Sequence, residues 1–188
     1  CIAPVATPMD SEGRISLANF PAVLDFLASQ GVTGIVPGDL IGEYPALSVD
    51  ERRQLIEAAS ELSRGRFVVA ALVSDASMDT AIDLARFAER TGVDAIKIAL
   101  PYPYVPTDAM TLEYLRRVTG ANTLPFLVES SDELEVSLPV IEALSADPRF
   151  IGMEEMGTGL GRLQRLQREF SSRLAMLPVG ETALLVLC

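Results

Sequence analysis

The sequence predicts a TIM-type (β/α) barrel, and three observations predict it. Short apolar or β-branched runs of strand length recur along the 188 residues and begin 24 to 33 residues apart, about the size of one strand–helix unit. Each run is followed by a stretch with helical apolar spacing. The runs are apolar on both faces, as parallel strands covered by helices must be. A doubly wound open sheet would satisfy the same observations. However, the G-x-G-x-x-G fingerprint of its dinucleotide-binding version is absent after the first run, and Gly157-Thr158-Gly159 is too short and too late to serve.

In chain order, the first strand is expected at residues 2–6, followed by a helix whose apolar face is Leu17, Phe20, Leu24 and Leu27. The second strand covers residues 34–37. Ser48 with Glu51 then forms a capping box, and Leu55, Ile56, Ala59 and Leu62 supply the buried side of the next helix. After a third strand at 67–73, Ser77 or Asp79 caps a helix that turns Ile82, Ala85 and Ala88 inward. A fourth strand at 95–100 runs into a Pro-rich loop. The fifth, at 125–129, precedes a helix with Leu138, Ile141 and Leu144 at helical spacing. Strands at 150–154 and 174–178 complete the series. That makes seven units, and a closed eight-strand barrel typically takes about 250 residues. Residues 1–188 are therefore read as one (β/α) barrel domain with its eighth unit missing, either through C-terminal truncation or through incomplete closure, which would leave an open edge.

Composition narrows the function. Lys and Arg total 15 against 26 Asp and Glu, a net charge of -11, which disfavours nucleic acid and anionic membranes as partners. With no histidine, His-ligated metals and His general bases are excluded. Lys97 is the only lysine, so lysine-based covalent chemistry has one candidate. The cysteines, Cys1 and Cys188, form no metal-binding spacing and are read as chemically idle. No apolar run approaches the roughly 20 residues of a membrane span, and the first residues lack signal-peptide character, so a cytoplasmic location is expected.

Several strings resemble the dihydrodipicolinate synthase/N-acetylneuraminate lyase family of pyruvate-dependent class I aldolases. They are Ala6-Thr7-Pro8-Met9 with Gly13-Arg14-Ile15, Gly42-Glu43 followed by Leu47-Ser48 and Glu51-Arg52, and Val93-Asp94-Ala95 with Pro101-Tyr102 and Pro106. Ile151-Gly152 with Leu160 and Arg162, and Gly180-Glu181, complete the match in order along the chain. The resemblance implies a barrel in which a lysine ending strand six forms a Schiff base with a 2-oxo acid, so that the iminium acts as an electron sink. It also implies a tyrosine ending strand five that relays protons, and small hydroxyl residues after strand two that bind the carboxylate. In this chain those positions read Glu154, Glu129, and Leu40 with Ile41, preceded by Asp39 in place of a glycine. The loop after strand five reads Ser130-Ser131-Asp132-Glu133, and the second tyrosine of the fourth-strand loop is replaced by Pro103, with Tyr104 one place on. A carboxylate cannot form an imine, and a glutamate at that position repels a 2-oxo acid. No Schiff-base aldolase activity is expected.

Each candidate has a functional and a plain reading. Strand alternation puts Lys97 on the face of Ala95 and Ala99. Facing inward, it forms a structural ion pair with Glu129 or Glu154; the plain alternative is an outward snorkel, and the sharper one a relocated Schiff-base lysine. Glu129 and Glu154 end adjacent strands where barrel active sites sit. They serve there as an acid/base pair, as metal ligands together with Asp39 for Mg²⁺ or a similar hard cation, or simply as ion-pair partners. Glu155 should face the other way as a structural residue. Glu43 fixes its loop, while Leu40 and Ile41 line or plug the pocket mouth. Tyr102 and Tyr104 belong to a stiff loop that, by resemblance, makes a homo-oligomer contact or stacks on a ligand. Three readings follow. The first is a family homologue with divergent or lost catalysis that binds a small ligand at the strand ends, without a cofactor. The second is an enzyme of another mechanism built on Glu129 and Glu154. The third is an aldolase reacting through Lys97.

Overall fold

The computed structural model describes residues 1–101, 105–157 and 159–180; Tyr102, Tyr104, Glu181 and Cys188 lie outside the described residues. Seven strands, β1 (Ile2–Val5), β2 (Gly34–Pro37), β3 (Val68–Leu72), β4 (Ala95–Ile98), β5 (Phe126–Ser130), β6 (Phe150–Glu155) and β7 (Ala175–Pro178), pair in chain order. Every pairing is parallel. Among the described residues six α-helices alternate with them: α1 (Phe20–Ser29), α2 (Val49–Ser63), α3 (Met78–Thr91), α4 (Asp108–Thr119), α5 (Leu138–Leu144) and α6 (Leu160–Phe170). The sheet curls as in a TIM-type barrel, and among the described residues there is no eighth unit, so β1 and β7 are its edges. Among the described residues, no helix is long and apolar enough to cross a membrane.

The period-2 alternation of each strand divides the interior in two. Ile35, Val69, Ala71, Ile96, Ile98, Phe126 and Val128 turn outward and pack with the helices into the main core, where the Phe126 and Phe150 rings stack 5.2 Å apart. Val36, Ala70, Leu72, Ala95, Ala99 and Leu127 turn inward and fill the barrel lumen. The inward residues are small or aliphatic at the bottom, which lets the lumen close up, and become charged only toward the C-terminal ends of the strands.

Helix starts follow local chemistry. Ser48 and Glu51 make the reciprocal capping box, and Ser77, Thr107 and Ser137 each accept a backbone N–H from the first turn. Ser77 rather than Asp79 is therefore the cap of α3, and Asp79 lies in the first turn. Leu17 sits in a 3-10 turn, and α1 begins at Phe20 with Pro21 in its first turn, where a missing N–H costs nothing. Leu62 does not join the buried face of α2. It is 38% exposed, and Ser63 takes the inward place. The α2 repeat slips because the helix ends there and the chain turns into β3.

Candidate functional site

The site is built by residues at the upper ends of four strands. At β4, Lys97 points into the lumen between Ala95 and Ala99 and is fully buried. It pairs in register with Leu72 of β3 and Leu127 of β5, one inward-facing layer below Glu129. Two residues of strand rise about 6.6 Å, a distance its four methylenes span. Glu129 and Glu154 are direct register partners across β5 and β6 and share the inward face. Gly152, one layer below Glu154, has no side chain because a Cβ there would lie 2.6 Å from the Ala175 carbonyl oxygen and 3.0 Å from Leu127. The lumen closes beneath the carboxylates only because that position is empty.

The fourth group comes from the turn after β2. Asp39 accepts the Leu40 N–H on Oδ1 at 2.7 Å, which aims Oδ2 across the lumen. The turn is pinned from below: Gly42 sits so close to the end of β1 that a Cβ would meet the Val5 carbonyl oxygen at 2.8 Å, and Thr7 Oγ1 donates to the Gly42 carbonyl at 2.6 Å.

These four groups meet at one point. Lys97 Nζ lies 2.8 Å from Asp39 Oδ2, 2.8 Å from Glu129 Oε2 and 2.6 Å from Glu154 Oε2. An ammonium has three N–H donors, so all of its hydrogen-bonding capacity is used. Burial by itself would discharge the lysine, but the fields of Asp39, Glu129 and Glu154 outweigh it and hold the ammonium above the ordinary lysine range. Glu154 is pushed up from the usual carboxylate range, first by burial and further by the charges of Asp39 and Glu129, against the pull of Lys97. The second oxygen of each glutamate has no partner among the described residues.

Two cavities lie above this cage. One of about 290 Å³ opens between β1 and β7, with Asp39, Leu40, Ile41 and Glu154 on one side and Leu177 and Val179 on the other. A second, about 200 Å³, lies over β4 and β5 and is lined by Leu40, Tyr44, Ala99, Glu129, Glu133 and Met156 among others. Leu40 and Met156 border both. Leu40 is 50% exposed and Ile41 62% exposed, so these side chains wall the mouth rather than plug it.

The sequence-predicted residues thus divide. Asp39, Lys97, Glu129 and Glu154 converge, with Leu40 and Ile41 at the rim. Lys97 turns inward rather than snorkelling out, and it engages three carboxylates rather than one. Glu43 stands apart: it is exposed, adopts φ +61° and donates its N–H to the Leu40 carbonyl as part of the turn. Tyr102 and Tyr104 fall outside the described residues. The point a metal would occupy between Asp39, Glu129 and Glu154 is filled by the Lys97 ammonium, and among the described residues no group of three or more acidic or cysteine residues is arranged to hold a metal.

Sequence reasoning missed a second network on the outer face. Glu155 accepts from Arg162 Nε at 3.0 Å and from the Gly157 N–H at 3.1 Å. Arg162 also donates to Ser130 Oγ at 3.1 Å and the Val136 carbonyl at 2.7 Å, and pairs with Glu135. This clamp holds the loop after β5 that lines the smaller cavity. Ser74, also missed, accepts the Ala99 N–H at 2.6 Å and fixes the end of β4 above the lysine.

Comparison with known proteins gives one family. The model described as the dihydrodipicolinate synthetase family matches residues 1–185. Among curated relatives, a 4-hydroxy-tetrahydrodipicolinate synthase of Acidiphilium cryptum is 28% identical over 164 residues, covering 86% of this chain and 56% of the relative. Among solved structures, a dihydrodipicolinate synthase of Bacillus anthracis superposes with a TM-score of 0.92 at 22% identity, over 98% of this chain and 66% of that one. A sialic acid aldolase of Ruminococcus gnavus, solved as a catalytic lysine mutant, superposes with a TM-score of 0.88 at 21% identity, over 93% and 59%. The chain therefore spans only about half to two thirds of the length of the proteins it matches.

Proposed function

This chain belongs to the dihydrodipicolinate synthetase family, and from that membership we propose that it is a dihydrodipicolinate synthase-like barrel that has lost Schiff-base catalysis and binds a small ligand at the C-terminal ends of its strands. The observation that carries this reading is the state of Lys97. It is the only lysine in the chain, and its three donors are taken up by three carboxylates that hold it protonated. An imine requires a free amine as nucleophile. The resemblance supports the same reading, since Glu154 and Glu129 stand where the family has its lysine and tyrosine. The sialic acid aldolase among the solved structures has a catalytic lysine by its own description. Two cavities above the cage supply room for a ligand.

Borohydride trapping with pyruvate and other 2-oxo acids, read by intact mass, tests the proposal. No adduct is expected. A stable adduct on Lys97 overturns it and makes the chain an aldolase whose lysine has moved from strand six to strand four.

One observation favours a second reading. Glu154 is held above the usual carboxylate range and faces Glu129 in register, the arrangement from which enzymes derive an acid and a base. On that reading the site performs acid/base or Mg²⁺-dependent chemistry. Metal-dependent ligand binding that disappears in Glu154→Gln would select it.

A further inference from the structure

We infer that the cavities above the Lys97 cage take a small organic cation, a primary ammonium carried on a short apolar body, and reject carboxylates. This deepens the ligand-binding reading above and rests on it.

Size comes first. Cavities of about 290 and 200 Å³ lie at or below the lower end of the roughly 300–1,000 Å³ of drug-sized sites and hold the volume of about seven to ten water molecules, so each fits a small molecule. The walls are mostly aliphatic. Val36, Leu40, Ile41, Met156 and Leu177 surround the larger cavity, and Leu40, Ala99, Leu100, Leu134 and Met156 the smaller. The ligand therefore carries an apolar part that loses water on entry.

The polar atoms decide its head group. Asp39 and Glu154 line the larger cavity and Glu129 and Glu133 the smaller; among the described residues no lysine or arginine lines either. The nearest cation, Lys97, sits below both with its donors already engaged. The hydroxyls of Tyr44 and Ser131 are neutral. Four carboxylates thus face one ammonium, and protonating Glu154 still leaves three against one. The second oxygens of Glu129 and Glu154 have no protein partner among the described residues and, on side chains 14% and 18% exposed, are open to accept from a ligand in place of water. An entering carboxylate meets like charge without a partner and must shed its water. An entering ammonium meets opposite charge and donates to those oxygens in charge-assisted hydrogen bonds.

The test is calorimetry and ligand-observed NMR on this chain at pH 7.5, using three probes of one shape, n-butylammonium, n-butanol and butyrate, together with pyruvate and Mg²⁺. Butylammonium is expected to bind at least about tenfold more tightly than butanol, the value of one charge-assisted hydrogen bond. Butyrate and pyruvate should give no signal. Glu133→Gln, which leaves the cage intact, is expected to weaken butylammonium about threefold or more without changing the unfolding midpoint. Butyrate or pyruvate binding as tightly as the amine overturns the inference. So does absence of butylammonium binding up to about ten times a millimolar Kd. Tight Mg²⁺ binding that displaces the amine overturns it in favour of a metal site. The outcomes separate from those of the trapping experiment. An imine adduct removes the lost-catalysis reading whatever the amine does, and amine rejection removes this inference whether or not an adduct forms.

Discussion

Glu154 and Glu155 are neighbours on one strand, yet they live in different electrostatic worlds. Glu155 faces the helices, is 3% exposed, and meets one guanidinium and one backbone N–H. Arg162 fills its remaining donors with a hydroxyl, a carbonyl and the exposed Glu135. That network closes on itself. Glu154 faces the lumen and shares one ammonium with two other carboxylates, so its network carries surplus negative charge and unused acceptors. A balanced buried network organises the fold, whereas an unbalanced one at the end of a barrel where ligands bind is poised to take something else. The contrast separates the structural carboxylate from the candidate site without any appeal to sequence position.

Removing the shared cation should have the largest effect. Lys97→Met leaves three carboxylates facing one another in the lumen, and the loss is expected to be about 3–5 kcal/mol at pH 8, the usual consequence of breaking a buried ionic group on one side. The loss should shrink at pH 5, where the carboxylates relieve their repulsion by taking up protons. Urea denaturation at both pH values measures this. A loss that is small, or identical at the two values, would mean that the lumen carries no surplus charge and that the contrast with Glu155 is false.

Arg162→Gln comes next, with an expected loss of about 2–3 kcal/mol from the buried acceptors left unsatisfied. Arg162→Lys should recover less than half of it, because a compact ammonium cannot reproduce a planar fork that reaches four acceptors. Hydrogen exchange should quicken in residues 131–136, which the arginine ties to α6. If Arg162→Lys is as stable as the parent, the clamp is not the closed, geometry-specific network described above.

The two networks were not equally legible in the sequence. Strands, helices and the Ser48–Glu51 box follow from local periodicity and capping chemistry, which need only neighbours in the chain. Strand alternation put Lys97 on the face of Ala95 and Ala99 and separated Glu154 from Glu155, but which face turns inward is settled only when the sheet curls. Asp39 was harder: its approach to Lys97 spans 58 residues and crosses the lumen between strands that do not pair, so no local pattern encodes it. The Arg162 clamp was hidden for a similar reason. It joins α6 to a loop after β5, and although Glu135, Glu155 and Arg162 are ordinary charges in the sequence, only their burial tells them apart. Leu62 misled because a helical repeat says nothing about where the helix ends.

The smallest expected effect is the sharpest test of the comparison. Glu154 is raised from its ordinary value of 4.5 mainly by burial. The folded protein therefore keeps a proton there in a pH range where the unfolded chain has already released it. Such a group contributes stability that is fully present below the unfolded value and is lost as pH rises through the folded one. Above that window the parent carries a buried charge at a cost. Glu154→Gln keeps an oxygen acceptor for Lys97 without the charge, so its stability should not fall across the window. At pH 8 it should match or exceed the parent by no more than about 1 kcal/mol. Denaturant midpoints of the two proteins, measured from pH 4 to 8, should therefore converge at the acid end and separate toward the alkaline end, with the variant on the stable side. Separation in the opposite sense would mean that ionised Glu154 stabilises the fold as Glu155 does, and the two neighbours would then differ in position but not in kind.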